Sequence, residues 1–197
     1  MNRISLAHYL SAAAKQLNPK AALELLEKQA AKLASEADSQ DAVALLVMEA
    51  AHYKLVVGDV QGCKAAIKRC EKILEGIAAV APSINATFYR VSADYYKITQ
   101  SYPEYYHNAL LFLSSVSLAD LDKTVKQQRA HDLALSALLG ADLYNFGELL
   151  THPILQCLAD TPYAWLRTLL LQYNSGDLEG FERLIKTADF MKQVLFN

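Results

Sequence analysis

The chain has 197 residues with only 7 Gly and 5 Pro, against 30 Ala and 32 Leu, so its composition is poor in residues that interrupt regular structure and rich in helix formers. With 53% hydrophobic and 20% charged residues it can bury a sizeable core, which excludes a disordered or collagen-like chain. A formal net charge of −2 gives no basic field for nucleic acid or anionic lipid, and the longest apolar run, Ala42 to Met48, falls far short of the roughly 20 residues of a membrane span.

Apolar residues recur at spacings of three and four through Ile4, Ala7, Leu10, Ala14 and Leu17, which predicts a first helix. Asn18 before Pro19 reads as an N-cap and first-turn proline. It opens a second helix that runs to about Glu36 with Ala22, Leu25, Leu26 and Leu33 on one face, antiparallel to the first. Ser39 is expected to cap a third helix whose apolar stripe is Val43, Leu46, Val47, Ala50 and Val57. Gly58 ends it, because glycine takes the left-handed conformation at low cost. Asp59 then caps a fourth helix carrying Cys63, Ala66, Ile67, Cys70, Ile73 and Leu74 inward, up to Gly76.

Beyond a loop containing Pro82, Ser83 is expected to cap a helix with Phe88, Val91, Tyr95 and Ile98 inward. Pro103 starts the next, with Tyr106, Ala109, Leu110 and Leu113 as its apolar face, and Ser117 with Asp120 has capping-box spacing. A long helix spans about Lys123 to Leu139, carries Val125, Leu133, Leu135, Ala137 and Leu138, and stops at Gly140. Asn145 with Glu148 again has the spacing of a reciprocal cap. Pro153 and Pro162 each begin a further helix, the second bearing Trp165, Leu166, Leu169 and Leu170 and closed by Gly176.

A weak internal repeat connects these elements. Ala51 to Cys70 aligns without gaps with Leu169 to Ala188, and Gly58/Gly176, Asp59/Asp177, Gly62/Gly180, Ile67/Ile185 and Lys68/Lys186 are identical. Helix, glycine stop, aspartate cap and helix is an αα-hairpin used twice. The reading is an all-α, right-handed, tetratricopeptide-like solenoid of antiparallel helix pairs, with residues 1–197 as a single helical-repeat domain and a compact bundle as the alternative.

Catalytic chemistry finds little support. Glu49 with His52 and Glu104 with His107 have the spacing that places a carboxylate and an imidazole on one helical face, as in di-iron bundles. Glu104 directly follows Pro103, however, where a carboxylate favours the helix dipole, and no further inward glutamates suggest a ligand set. His131 and Asp132 are adjacent and point about 100° apart on a helix, Ser136 lacks a nucleophile elbow, and no glycine-rich phosphate loop exists. No metal, no other cofactor and no enzymatic activity are expected. Cys63 and Cys70 lie seven residues apart on one helix, about 10.5 Å and too far for a disulfide, so with Cys157 they read as reduced thiols. Two surfaces are candidates for partner contact: the stripe Lys64, Lys68 and Lys72, interleaved with Glu71 and Glu75, and a cluster of Tyr89, Tyr95, Tyr96, Tyr102, Tyr105 and Tyr106. Tyr102 and Tyr105 are assigned to the surface of that cluster, and Tyr95 and Tyr106 to an inter-helix core.

The stretches Phe88 to Val116 and Leu133 to Leu155, above all Asn145 to Leu150 followed by His152 and Pro153, resemble the PCI-type lid-subunit family of proteasome non-ATPase regulatory subunit 13. The resemblance extends from about Ile4 to Leu184. It implies a helical repeat followed by a winged helix, the latter expected to be absent from this sequence. It also implies a non-catalytic scaffold that contacts other lid subunits in cytoplasm and nucleus and supports degradation of ubiquitinated proteins, without nucleic-acid, membrane or small-molecule partners. PCI subunits of the signalosome or of translation initiation factor three are the nearest alternatives, and a metal-dependent helical-bundle enzyme is the alternative from another class.

Overall fold

A computed structural model describes residues 3–36, 39–140, 143 and 147–186. Among these, every regular element is helical: α1 (Arg3–Ala14), α2 (Pro19–Ala34), α3 (Gln40–Val56), α4 (Val60–Glu75), α5 (Pro82–Ile98), α6 (Tyr102–Ser115), α7 (Lys123–Leu139), α8 (Gly147–Thr151), α9 (Ala164–Ser175) and α10 (Leu178–Ile185). Short 3₁₀ segments cover Leu118–Asp120 and Pro153–Leu158. The chain packs as two compact units, Met1–Val116 and Ser117–Asn197.

In the first unit, short turns fold successive helices back on one another as antiparallel pairs. α3 is its centre, packed by α1, α2, α4 and α5. Every residue from Ala42 to Ala51 is consequently buried, including residues opposite the expected stripe such as Leu45 and Met48. Val57, expected inside, is the C-cap of α3 and is exposed. Ile98, also expected inside, is the last residue of α5 and exposed, because the chain turns away directly after it.

The turns explain the repeat. The amide of Gly58 donates to the Leu55 carbonyl at 3.1 Å and that of Asp59 to the Lys54 carbonyl at 2.8 Å. Gly176 to Tyr173 (3.2 Å) and Asp177 to Gln172 (3.0 Å) reproduce both bonds 118 residues on. This is a Schellman pairing, and both glycines sit in the left-handed region it requires, at φ 87° and 72°. Each aspartate then caps the following helix, Asp59 Oδ1 accepting from the Gly62 amide at 2.8 Å and Asp177 Oδ1 from Gly180 at 3.0 Å. A Cβ on Gly62 or Gly180 would collide with the capping carboxylate folded over it, which accounts for the third shared position. Asp59→Ala and Asp177→Ala are each expected to cost about 0.5–2 kcal/mol of stability, measured by urea unfolding; unchanged midpoints in both would show that the caps do not support these helices.

The same pattern closes the α5–α6 turn without glycine. Ser101 donates to Tyr96 (3.0 Å), Gln100 donates to Lys97 (3.2 Å), and Gln100 occupies the left-handed site at φ 57°. A side chain there is strained where glycine is not. Gln100→Gly should therefore raise stability by roughly 0.5 kcal/mol, net of the larger unfolded-state entropy of glycine, whereas Gly58→Gln should lower it. A fall in stability for Gln100→Gly would overturn this account.

Other helix starts follow the sequence more loosely. Asn18 accepts from the Lys20 amide at 3.2 Å, with Pro19 in the first turn of α2. Ser39 stands at the N-cap of α3, but its hydroxyl donates back to the Leu33 and Glu36 carbonyls and caps the end of α2 instead. α5 begins at Pro82 itself, with Ala81 rather than Ser83 at its N-cap.

The second unit is built around α7, which packs on the 3₁₀ segment 153–158 and on α9. Leu133, Ala134 and Ala137 of α7 and Ile154, Leu155 and Leu158 of that segment are all buried. Val125, near the start of α7, is exposed instead. The segment after Pro153 is 3₁₀ rather than α-helical, capped by His152, whose Nδ1 accepts from the Ile154 amide at 3.2 Å. Burial lowers the His152 pKa, which favours the neutral ring this acceptor role requires. Pro162 precedes α9 by two residues, with Tyr163 at its N-cap. Glu148 lies exposed in the first turn of α8, and the expected reciprocal cap falls outside the described residues at Asn145.

Candidate interaction surface

The two Glu-x-x-His pairs are used differently from each other. Glu49 is buried in α3, and its Oε1 accepts from Arg90 Nη2 of α5 at 2.9 Å, an ion pair spanning 41 residues of sequence. His52, one turn further along α3, has a buried Nδ1 without a hydrogen-bond partner among the described residues. Burial and the Arg90 charge push its pKa below the ordinary value, so the ring is held neutral near pH 7. The Glu49–Arg90 pair is therefore a structural α3–α5 contact, with His52 buried beside it on α3. Glu104 and His107 are both exposed on α6, with Glu104 in the first turn where its charge complements the helix dipole.

Adjacent His131 and Asp132, expected to diverge, approach to 3.4 Å between Nδ1 and Oδ1. The imidazole also packs against the Tyr163 ring, with centroids 4.3 Å apart, and Gln128 Nε2 donates to Asp132 Oδ1 at 3.0 Å. Ser136 donates to the Asp132 carbonyl of its own helix, at 2.7 Å, which gives it no nucleophilic geometry. Cys63 and Cys70 are buried, and burial pushes both thiols up to about 12, so neither supplies a thiolate at neutral pH.

The tyrosine cluster divides along the α5–α6 seam. Tyr95, Tyr105 and Tyr106 are buried, Tyr105 to 1% exposure, whereas Tyr89, Tyr96 and Tyr102 are half-buried. Tyr105 is thus corrected from a surface residue to a core residue. It sits on the same helical face as Ala109 and Phe112, and α5 packs extensively against that helix. Tyr102, at the first position of α6, keeps part of its ring at the surface.

Lys64, Lys68 and Lys72 are all exposed on the outer side of α4, opposite the buried Cys63, Ala66, Ile67 and Cys70. Glu71 and Glu75 are exposed among them, so the stripe is a mixed-charge face. Among the described residues, what surrounds these side chains is a set of helix faces and turns.

Comparison with known proteins agrees with this architecture. Residues 1–170 match the family model described as PSD13 N-terminal repeats, across both compact units. The chain is similar to 26S proteasome non-ATPase regulatory subunit 13 homolog B of Arabidopsis thaliana, 37% identical over 189 residues covering 94% of this chain and 49% of that protein. It is similar to the probable 26S proteasome regulatory subunit rpn9 of Schizosaccharomyces pombe, 40% identical over 146 residues (74% and 38% of the two chains). A third relative is the 26S proteasome regulatory subunit RPN9 of Saccharomyces cerevisiae, 31% identical over 204 residues (94% and 51%). The chain thus spans about half the length of the curated relatives it matches, or less. With the matched region covering the first capped helix pair, the central α3 and α7, the chain belongs to the PSD13 family through its N-terminal repeats.

Proposed function

We propose that this chain is a non-catalytic scaffold element of the lid of the 26S proteasome regulatory particle, supporting assembly and, through the whole particle, ATP-dependent degradation of ubiquitinated proteins. The observation that carries the reading is the family match over residues 1–170, together with relatives named as non-ATPase regulatory subunits. The structure supports it through the way its polar groups are used: Glu49, His131 and the capping aspartates engage structural partners. On this reading residues 1–197 form one helical-repeat region whose partners are other lid subunits, working in cytoplasm and nucleus without nucleic acid, membrane or small-molecule substrate. Helical repeats bind along extended faces, and Tyr102 with the Lys64, Lys68 and Lys72 side of α4 are the surface residues assigned here to partner contact.

The test is native-gel migration and co-purification of the tagged chain from cells. Comigration with regulatory-particle subunits in near-equal amounts supports the reading, and migration only as a free species overturns it. Reversal of all three lysines to glutamate, or Tyr102→Ala, should lower incorporation several-fold with the helical circular-dichroism signal unchanged. Wild-type incorporation of both variants would remove these residues from the interface.

A further inference from the structure

Among the described residues of the first unit, five large apolar side chains are exposed: Tyr9, Leu17, Val56, Val57 and Ile98. Four of them lie at turns. Leu17 is in the α1–α2 turn, Val56 and Val57 close α3, and Ile98 is the last residue of α5. Leu17, Val57 and Ile98 each complete an apolar stripe legible in the sequence, yet they are 45%, 38% and 53% exposed. Three stripes therefore run past the part of the core that the chain's own helices cover.

These helix ends are neighbours. α1 and α5 both pack on α3 and, with successive helices antiparallel, all three run in the same direction. Glu49, the tenth residue of α3, meets Arg90, the ninth of α5, so those two helices are nearly level. Lys15 and Asp94 both lie close enough to His52 for their charges to act on it. Val56 is one turn beyond His52, Ile98 one turn beyond Asp94, and Leu17 two residues beyond Lys15, which sets the apolar residues in a row across three adjacent helix ends. With packed helix axes about 8–10 Å apart, the row is about 16–20 Å long.

Its rim is cationic. Lys15 and Lys20 flank Leu17 and Lys97 precedes Ile98, all three exposed, in a chain whose formal net charge is −2. Lys54 is already paired with Glu27. Of the carboxylates nearby, Asp59 is folded over its own helix as a cap and Glu104 stands in the first turn of α6. An apolar row rimmed by lysines matches an occupant of the opposite sign. The described residues include no strand, and the turn amides are bonded within the turns, so an extended segment finds no edge to pair with. A helix satisfies its own backbone and brings an apolar stripe, and three turns of it, about 16 Å, span the row.

We propose that this end of the first unit docks an acidic amphipathic helix of a partner protein, its apolar stripe on Leu17, Val56, Val57 and Ile98 and its carboxylates toward Lys15, Lys20 and Lys97. The inference goes beyond the scaffold reading and uses a surface separate from the Lys64, Lys68 and Lys72 face. A chain that fails to enter the regulatory particle can still bind such a helix, and the reverse also holds, so the two readings fail independently.

The test is an NMR titration of the ¹⁵N-labelled chain with the capped peptide Glu-Leu-Glu-Glu-Leu-Leu-Glu-Ala-Leu-Glu-Glu-Leu-Leu-Glu, and with a control in which every Glu is Lys. Amide shifts centred on Leu17, Val56, Val57 and Ile98 are expected with the acidic peptide, which becomes helical as it binds. The lysine peptide should bind at least about tenfold more weakly, the product of two or three exposed ion pairs at severalfold each. Lys15→Glu combined with Lys20→Glu should reverse that preference. Val56→Ser combined with Ile98→Ser should weaken the acidic peptide about fivefold with the helical circular-dichroism signal unchanged, because both side chains are exposed in the free chain. Absence of shifts at the four residues up to millimolar peptide, equal binding of the two peptides, or a preference that the lysine variants leave unaltered would each overturn the proposal. So would a concentration-dependent dimer, or co-sedimentation with phosphatidylserine vesicles, that the serine substitutions abolish, since a second copy of the chain or an anionic membrane would then be the occupant.

Discussion

Leu46→Ala is expected to destabilise the first unit by about 3 kcal/mol, within the roughly 2–5 kcal/mol typical of buried leucine truncation. Leu46 has no exposed surface and lies in the stretch of α3 that is buried on all sides. With α1, α2, α4 and α5 all packed on that helix, neighbouring side chains have little freedom to collapse into the space left behind, and the cost of the cavity adds to the lost burial. Val57→Ala at the exposed end of the same helix provides the comparison and should cost under about 0.5 kcal/mol. Hydrogen exchange of the α3 amides is the suitable measurement, because Trp165, the single tryptophan, belongs to the other unit and would not report on this one. A cost below about 1 kcal/mol for Leu46→Ala would show that α3 is not the packed centre.

Arg90→Met should cost about 2–3 kcal/mol. The substitution keeps much of the side-chain volume but removes the only ion-pair partner that Glu49 has among the described residues, leaving a carboxylate that is just 11% exposed. Removal of one member of a buried pair typically costs about 3–5 kcal/mol, and the 29% exposure of the Arg90 side chain, which lets solvent screen the site, reduces that figure. Glu49→Leu combined with Arg90→Met removes both charges and should return stability to within about 1 kcal/mol of the parent. Urea unfolding of the parent, the two single variants and the double variant measures the coupling. If Arg90→Met alone is neutral, or if the double variant is as unstable as the sum of the singles, the pair does not hold α3 to α5 in the way its geometry indicates.

The elements readable from the sequence are those set by bonds between near neighbours. Asn18 before Pro19, Gly58 before Asp59 and Gly176 before Asp177 mark helix boundaries through hydrogen bonds that span five residues or fewer, and these boundaries lie where the residue types require them. Apolar periodicity also located most of the core of α4, α6 and α9, because each has one packed face, and a 3.6-residue repeat records one face well. Family membership was legible too, in the stretches around the tyrosine pairs and around Asn145 to Pro153, and the match over residues 1–170 agrees with it.

Tertiary structure decided what depends on how many neighbours an element has and where they lie. Periodicity assigns α3 one stripe, but four surrounding helices bury it all round. A row of tyrosines does not reveal which rings the α5–α6 seam covers, so Tyr105 lies inside while Tyr102 stays partly at the surface. Glu49 has the spacing of a ligand to His52, and only the fold brings Arg90 to it from 41 residues away. Gln100 adopts the left-handed turn without glycine because packing of α5 on α6 outweighs the local strain. Local chemistry thus fixed the helix boundaries at Pro19, Gly58 and Gly176, while the energy of burying helix faces against several neighbours at once determined which side chains became core, ion pair or open surface.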